Sequence, residues 1–128
     1  MIGMRTGRML PYAVSLSIMM KIGENVALAD LTTFGIGGPA RYFVEISTEN
    51  EIRDALGWAR EHSVPFFVIA GGSNLLVSDK GLGGLVIRIV SDTYEIAESS
   101  LRADAGCNLF SLIRAAAEQG LGGWEKLS

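Results

Sequence analysis

Residues 48–74 read Thr-Glu-Asn-Glu-Ile-Arg-Asp-Ala-Leu-Gly-Trp-Ala-Arg-Glu-His-Ser-Val-Pro-Phe-Phe-Val-Ile-Ala-Gly-Gly-Ser-Asn. Thr48 and Glu51 stand at the capping-box spacing, in which each side chain satisfies the other residue's free backbone N–H. Ile52, Ala55, Leu56 and Ala59 then fall at i, i+3, i+4 and i+7, one apolar stripe of a helix. That helix should stop near His62, because Pro65 forbids its continuation. From Pro65 to Ala70 the chain is continuously apolar, short and partly β-branched, which predicts a strand buried on both faces. Gly71 and Gly72 end it at once.

Outward from this unit the pattern stays mixed. Upstream, Tyr42, Val44 and Ile46 alternate with Arg41, Phe43 and Glu45, so residues 41–46 read as a strand. The strand, helix and strand could form a parallel pair through a helical crossover. Downstream, Asp79-Lys80-Gly81 is a turn and residues 85–90 are another strand. Residues 94–97 and 101–103 suggest a hairpin turning through Glu98-Ser99-Ser100. Asn108 is a natural N-cap for a second helix with Leu109, Leu112, Ile113 and Ala116 on its apolar side, and Gly120 is its C′ residue. Two helices cannot clothe both faces of a doubly wound sheet of about five strands, so the class is α+β.

The composition is globular: 128 residues, 48% hydrophobic and 20% charged, with a net charge of -3. The basic residues are scattered, which argues against a nucleic-acid partner. A single Cys and a single His exclude a disulfide framework and argue against a His-based zinc site. At the N-terminus, Arg5 and Arg8 precede an apolar run from Met9 to Met20. The run is too short to span a bilayer, so no membrane partner is expected. Lys21, Glu24 and Asn25 set it further from Ala27-Leu28-Ala29 than a signal-peptide cleavage region requires. Residues 1–28 therefore read as a leading amphipathic helix or an extension, and residues 29–128 as the domain.

Three glycine-bearing stretches are candidates for chemistry. Gly35-Ile36-Gly37-Gly38-Pro39-Ala40 formally fits the dinucleotide fingerprint. That fingerprint must follow a strand and open a helix, whereas here Pro39 and an alternating strand come next, so a glycine-rich turn is the better reading. Gly71-Gly72-Ser73-Asn74 follows a strand directly. Without side chains on the glycines, successive N–H groups can form a concavity for a phosphate, and Ser73 and Asn74 can donate to its oxygens. No Lys is present, so the loop suits a pyrophosphate cradle better than phosphoryl transfer. The same four residues are equally ordinary turn chemistry, and spacing does not choose between the two. At Ala105-Gly106-Cys107-Asn108, free N–H groups before a helix would suit an anion, but a plain strand-to-helix turn is the stronger reading.

The remaining polar residues read as structural. Cys107 is a small packed residue, His62 a dipole partner in a last helical turn, and Trp58 and Trp124 packing residues. Glu49/Arg53 and Asp54/Trp58 are placed on a solvated helix face. No carboxylate pair, nucleophile–base pair or metal cluster stands out, so the pattern is that of a binding site and not of a reaction centre.

Residues 32–40 (Thr-Thr-Phe-Gly-Ile-Gly-Gly-Pro-Ala) resemble the opening motif of the UDP-N-acetylenolpyruvoylglucosamine reductases. Gly71-Gly72-Ser73-Asn74-Leu75-Leu76 resembles their flavin pyrophosphate loop, and Ala105-Gly106 and Gly120-Leu121-Gly122-Gly123-Trp124-Glu125 the next two blocks, in order and in register. The resemblance implies an FAD-binding domain of the vanillyl-alcohol-oxidase (PCMH) type, truncated, with the substrate domain absent. It implies cytoplasmic peptidoglycan synthesis, in which NADPH reduces FAD and hydride passes to an enolpyruvyl UDP-sugar, giving UDP-N-acetylmuramate. It carries over Gly71, Gly72, Ser73, Asn74, Leu75, Gly106 and Gly123 as cofactor-binding residues. Cys107 departs from the small residue usual at its position. The family's catalytic Arg, Ser and Glu would lie beyond Ser128, so no catalytic residue is assigned, and the missing C-terminal part of the same protein is an expected partner. Alternatives of other classes are a different flavin oxidoreductase of the superfamily and a non-catalytic truncated flavin-binding module.

Overall fold

The structure is a computed structural model that describes residues 21–71, 75–124 and 126. The apolar run at Met9–Met20 lies outside them. Four strands form one sheet in the order β1 (Gly23–Ala27), β2 (Pro39–Ile46), β4 (Leu82–Ile89) and β3 (Phe66–Ile69). A hairpin of β5 (Tyr94–Ala97) and β6 (Ser100–Ala103) stands apart as a second, two-stranded sheet. Among the described residues two α-helices complete it, α1 (Glu49–Glu61) and α2 (Leu109–Glu118), with a 3₁₀ turn at Leu28–Leu31. The mixed α+β class is as the sequence implies.

Helix α1 starts as its capping box requires. Thr48 Oγ1 accepts from the Glu51 N–H at 3.2 Å, and the Glu51 carboxylate accepts from the Thr48 N–H at 2.9 Å. It ends at His62. Its inner stripe is wider than Ile52, Ala55, Leu56 and Ala59, because Trp58 is also buried. Trp58 follows Ala55 by three residues and so shares its face of the helix; the indole turns inward and Asp54/Trp58 is not a solvated pair. Tyr42, Val44 and Ile46 of β2 and Leu85 and Ile87 of β4 meet this stripe. On the opposite face of the sheet, Ala40, Ile69 and Val86 pack with Leu28 and Val77.

Three sequence readings need correction. The strand buried on both faces is β4, not β3: residues 84–87 are buried, while Phe66, Phe67 and Val68 are 51%, 38% and 55% exposed. The reason is position. β4 runs parallel between β2 and β3, which leaves β3 an edge strand with one neighbour. For the same reason β2 and β3 are parallel but do not pair with each other. Finally, Gly23–Ala27 pairs antiparallel with β2 and Leu28 is buried, so the ordered fold begins before residue 29. The hairpin and the end of α2 at Gly120, with φ of +80°, match the sequence reading.

Candidate functional site

Because β2, β4 and β3 are parallel, their carboxyl ends lie at one edge of the sheet, where ligands of open α/β sheets bind. The glycine loop leaves β3 at this edge, since Ile69 pairs with Arg88 one residue before β4 ends. Gly71 opens the loop, and a β-carbon built on it would meet nothing within 4 Å. Gly72, Ser73 and Asn74 lie outside the described residues. Both flanks of the loop are anchored in the second core cluster: Ile69 before it, Leu75 and Val77 after it. Leu75 is half-buried there.

Gly106 sits at the same edge, on the neighbouring strand's end. Its N–H donates to the Ser91 carbonyl at 3.0 Å, and a β-carbon on it would lie 2.5 Å from that oxygen and 2.9 Å from the Ile89 carbonyl. The expected free N–H is therefore engaged. Gly106 is glycine because the turn approaches the β4 backbone too closely for any side chain. Asn108 caps α2 by accepting from the Ser111 N–H at 3.0 Å. Gly123 follows α2 with φ of +105°.

The sequence reading missed the group that ties this turn down. The Asp104 carboxylate accepts from the hydroxyls of Ser91 and Thr93, while the Asp104 N–H donates to the Thr93 carbonyl at 2.9 Å. The Ser91 hydroxyl, and then that of Thr93, hold the carboxyl below its usual range. Separations of 13 and 11 residues give no local signal. The Cys107 thiol donates to the Thr93 carbonyl at 3.3 Å, a packing role. His62 Nδ1 lies 2.9 Å from the Trp58 carbonyl at the end of α1.

Residues 35–40 bear out the rejection of the dinucleotide fingerprint: Pro39 opens β2 and no helix follows. Among the described residues there is no group of three or more His, Cys, Asp or Glu that could hold a metal ion, and no helix long and apolar enough to cross a membrane. What the edge offers among the described residues is Gly71, with open space where a side chain would stand, at the carboxyl end of a parallel strand. That position fits a dinucleotide whose phosphates need room beside the backbone.

Comparison with known proteins agrees. A family model described as an FAD binding domain matches residues 40–126. The UDP-N-acetylenolpyruvoylglucosamine reductase 2 of Symbiobacterium thermophilum is 42% identical over 96 residues, which cover 73% of this chain and 31% of that protein. The reductase of the same name from Protochlamydia amoebophila is 36% identical over 119 residues, covering 92% and 39%. The crystal structure of UDP-N-acetylenolpyruvylglucosamine reductase from Thermus caldophilus superposes with a TM-score of 0.65 at 37% identity, covering 84% of this chain and 37% of that one. The chain thus spans between about a third and two-fifths of the length of these relatives. With its glycine loop at the carboxyl end of a parallel strand and the model match over most of its length, the chain belongs to the FAD binding domain family.

Proposed function

We propose that the chain is the cofactor-holding part of an NADPH-dependent reductase that converts UDP-N-acetylglucosamine enolpyruvate to UDP-N-acetylmuramate in peptidoglycan synthesis. The observation that carries this is the open space beside Gly71 just after β3, in a chain 36–42% identical to proteins named as that reductase. FAD, when bound, supplies hydride transfer between NADPH and the enolpyruvyl group. In this reading Gly71, Gly72, Ser73 and Asn74 hold the pyrophosphate through backbone N–H groups and two short polar side chains. Leu75 anchors the loop to the core, Gly106 fixes the neighbouring turn, and Gly123 completes the cofactor contacts. The UDP-sugar and NADPH are the further small-molecule partners, and a soluble nucleotide-sugar substrate places the work in the cytoplasm.

The test is a titration of the 128-residue chain with FAD, followed by flavin fluorescence and repeated with Gly72→Asp. The substitution sets a carboxylate where a phosphate belongs. The native chain should bind saturably, and the variant should bind at least about tenfold more weakly. A folded native chain that does not bind, or a variant that binds equally well, removes the pyrophosphate assignment.

A further inference from the structure

The loop's second flank does not end at Val77. Residues 78–81 run backbone to backbone against residues 37–39. The Gly38 N–H donates to the Ser78 carbonyl at 2.8 Å, and the Gly81 N–H donates to the same oxygen at 2.8 Å. The Gly38 carbonyl in turn accepts from the Leu28 N–H at 3.3 Å. A β-carbon on Gly38 would lie 2.2 Å from the Asp79 carbonyl oxygen, and one on Gly81 would lie 2.0 Å from the Pro39 carbonyl oxygen. Neither approach leaves room for a side chain, and both blocking atoms are backbone. One residue further on, Ala40 and Leu82 form the first rung between β2 and β4.

We infer that residues 37–39 form a clasp that fixes the far flank of the flavin loop, with Gly38 a positioning residue for FAD that does not itself touch it. This rests on the flavin reading of the loop. Only residues 75–77 separate Asn74 from the clasped Ser78 carbonyl, and two of them, Leu75 and Val77, are packed in the same core cluster as Ile69. The clasp and these two side chains together set where the chain enters the loop. Gly38 thus has a role that the dinucleotide fingerprint does not describe: it admits a second backbone, not a phosphate.

The expected consequence is a lower population of the binding-competent loop, and so a proportionally weaker apparent affinity. In FAD titrations of the full chain, Gly38→Ala should bind about tenfold more weakly than the native chain while remaining folded by circular dichroism. Gly57 separates positioning from mere stability. It lies within α1 with nothing within 4 Å of an added β-carbon, and alanine there is the better helix former. The double variant Gly38→Ala/Gly57→Ala should regain thermal stability and not regain affinity. If affinity returns together with stability, or if Gly38→Ala binds as well as the native chain, the clasp is overturned while the flavin reading stands. If the native chain does not bind FAD, both fall. Should Gly38→Ala fail to fold, amide hydrogen exchange of the native chain decides, because coupling is reciprocal and bound FAD must steady the clasp in turn. Exchange of the Gly38 and Gly81 N–H groups slowed several-fold by FAD supports the clasp, and unchanged exchange overturns it.

Discussion

The rings of Trp58 and His62 lie face to face, with centroids 3.9 Å apart and planes inclined by 17°. The same indole meets Tyr42 edge-on at 5.0 Å, so it joins the end of α1 to β2. Truncation at the two positions should therefore differ in cost. His62→Ala removes a stacking partner at the helix end and should cost about 1 kcal/mol. Trp58→Ala empties a buried site and should cost about 3–5 kcal/mol. Urea midpoints at constant slope would show this, and equal losses would contradict the packing assigned to Trp58.

Acid should weaken the start of α1. The Glu51 carboxyl is held below its ordinary 4.5 by the backbone N–H of Ser47 first and of Thr48 second. A depressed carboxyl adds stability that is complete above its ordinary value and is lost as the pH falls through its folded value. Unfolding midpoints should therefore drop on acidification below about pH 4.5, and Glu51→Gln should flatten the part of the drop that this residue causes. Thr48→Ala, which removes the other half of the box, should cost about 1 kcal/mol at neutral pH. An unchanged acid profile in Glu51→Gln would refute this account.

The edge of β3 should govern association. Phe66 and Val68 share the face that α1 only partly covers, and among the described residues no strand pairs with the free side of β3. An apolar, uncharged edge is a template for pairing with another chain. Val68→Lys should lower concentration-dependent association in sedimentation velocity while changing stability by no more than about 0.5 kcal/mol. Association that is indifferent to this charge would place the contact elsewhere.

Local chemistry was the legible part of the fold. The Thr48/Glu51 spacing, the alternation of residues 42–46 and the Asn108 cap each act within one turn or strand, and each stands where the sequence puts it. Long-range placement was not legible. An apolar run such as residues 65–70 reads the same at the centre of a sheet as at its edge, and only the insertion of β4 decides which it becomes. Gly23–Ala27 carries no alternating pattern, since its place is set by the backbone ladder to β2. At the site, Gly71 and Gly106 could be picked out as glycines in turns. That Gly106 donates to Ser91, that Asp104 gathers two hydroxyls, and that Gly38 faces Asp79 all depend on partners 11 or more residues away.

The central place of β4 also orders events during synthesis. β2 and β3 present facing hydrogen-bonding edges that cannot close on each other, because the strand that joins them is made last of the three. Ile89 follows Ile69 by 20 residues, which a ribosome adds in about one to four seconds. For that interval the nascent chain carries two unsatisfied strand edges and a half-covered α1. The arrival of one eight-residue segment converts them together into a sheet with cores on both faces.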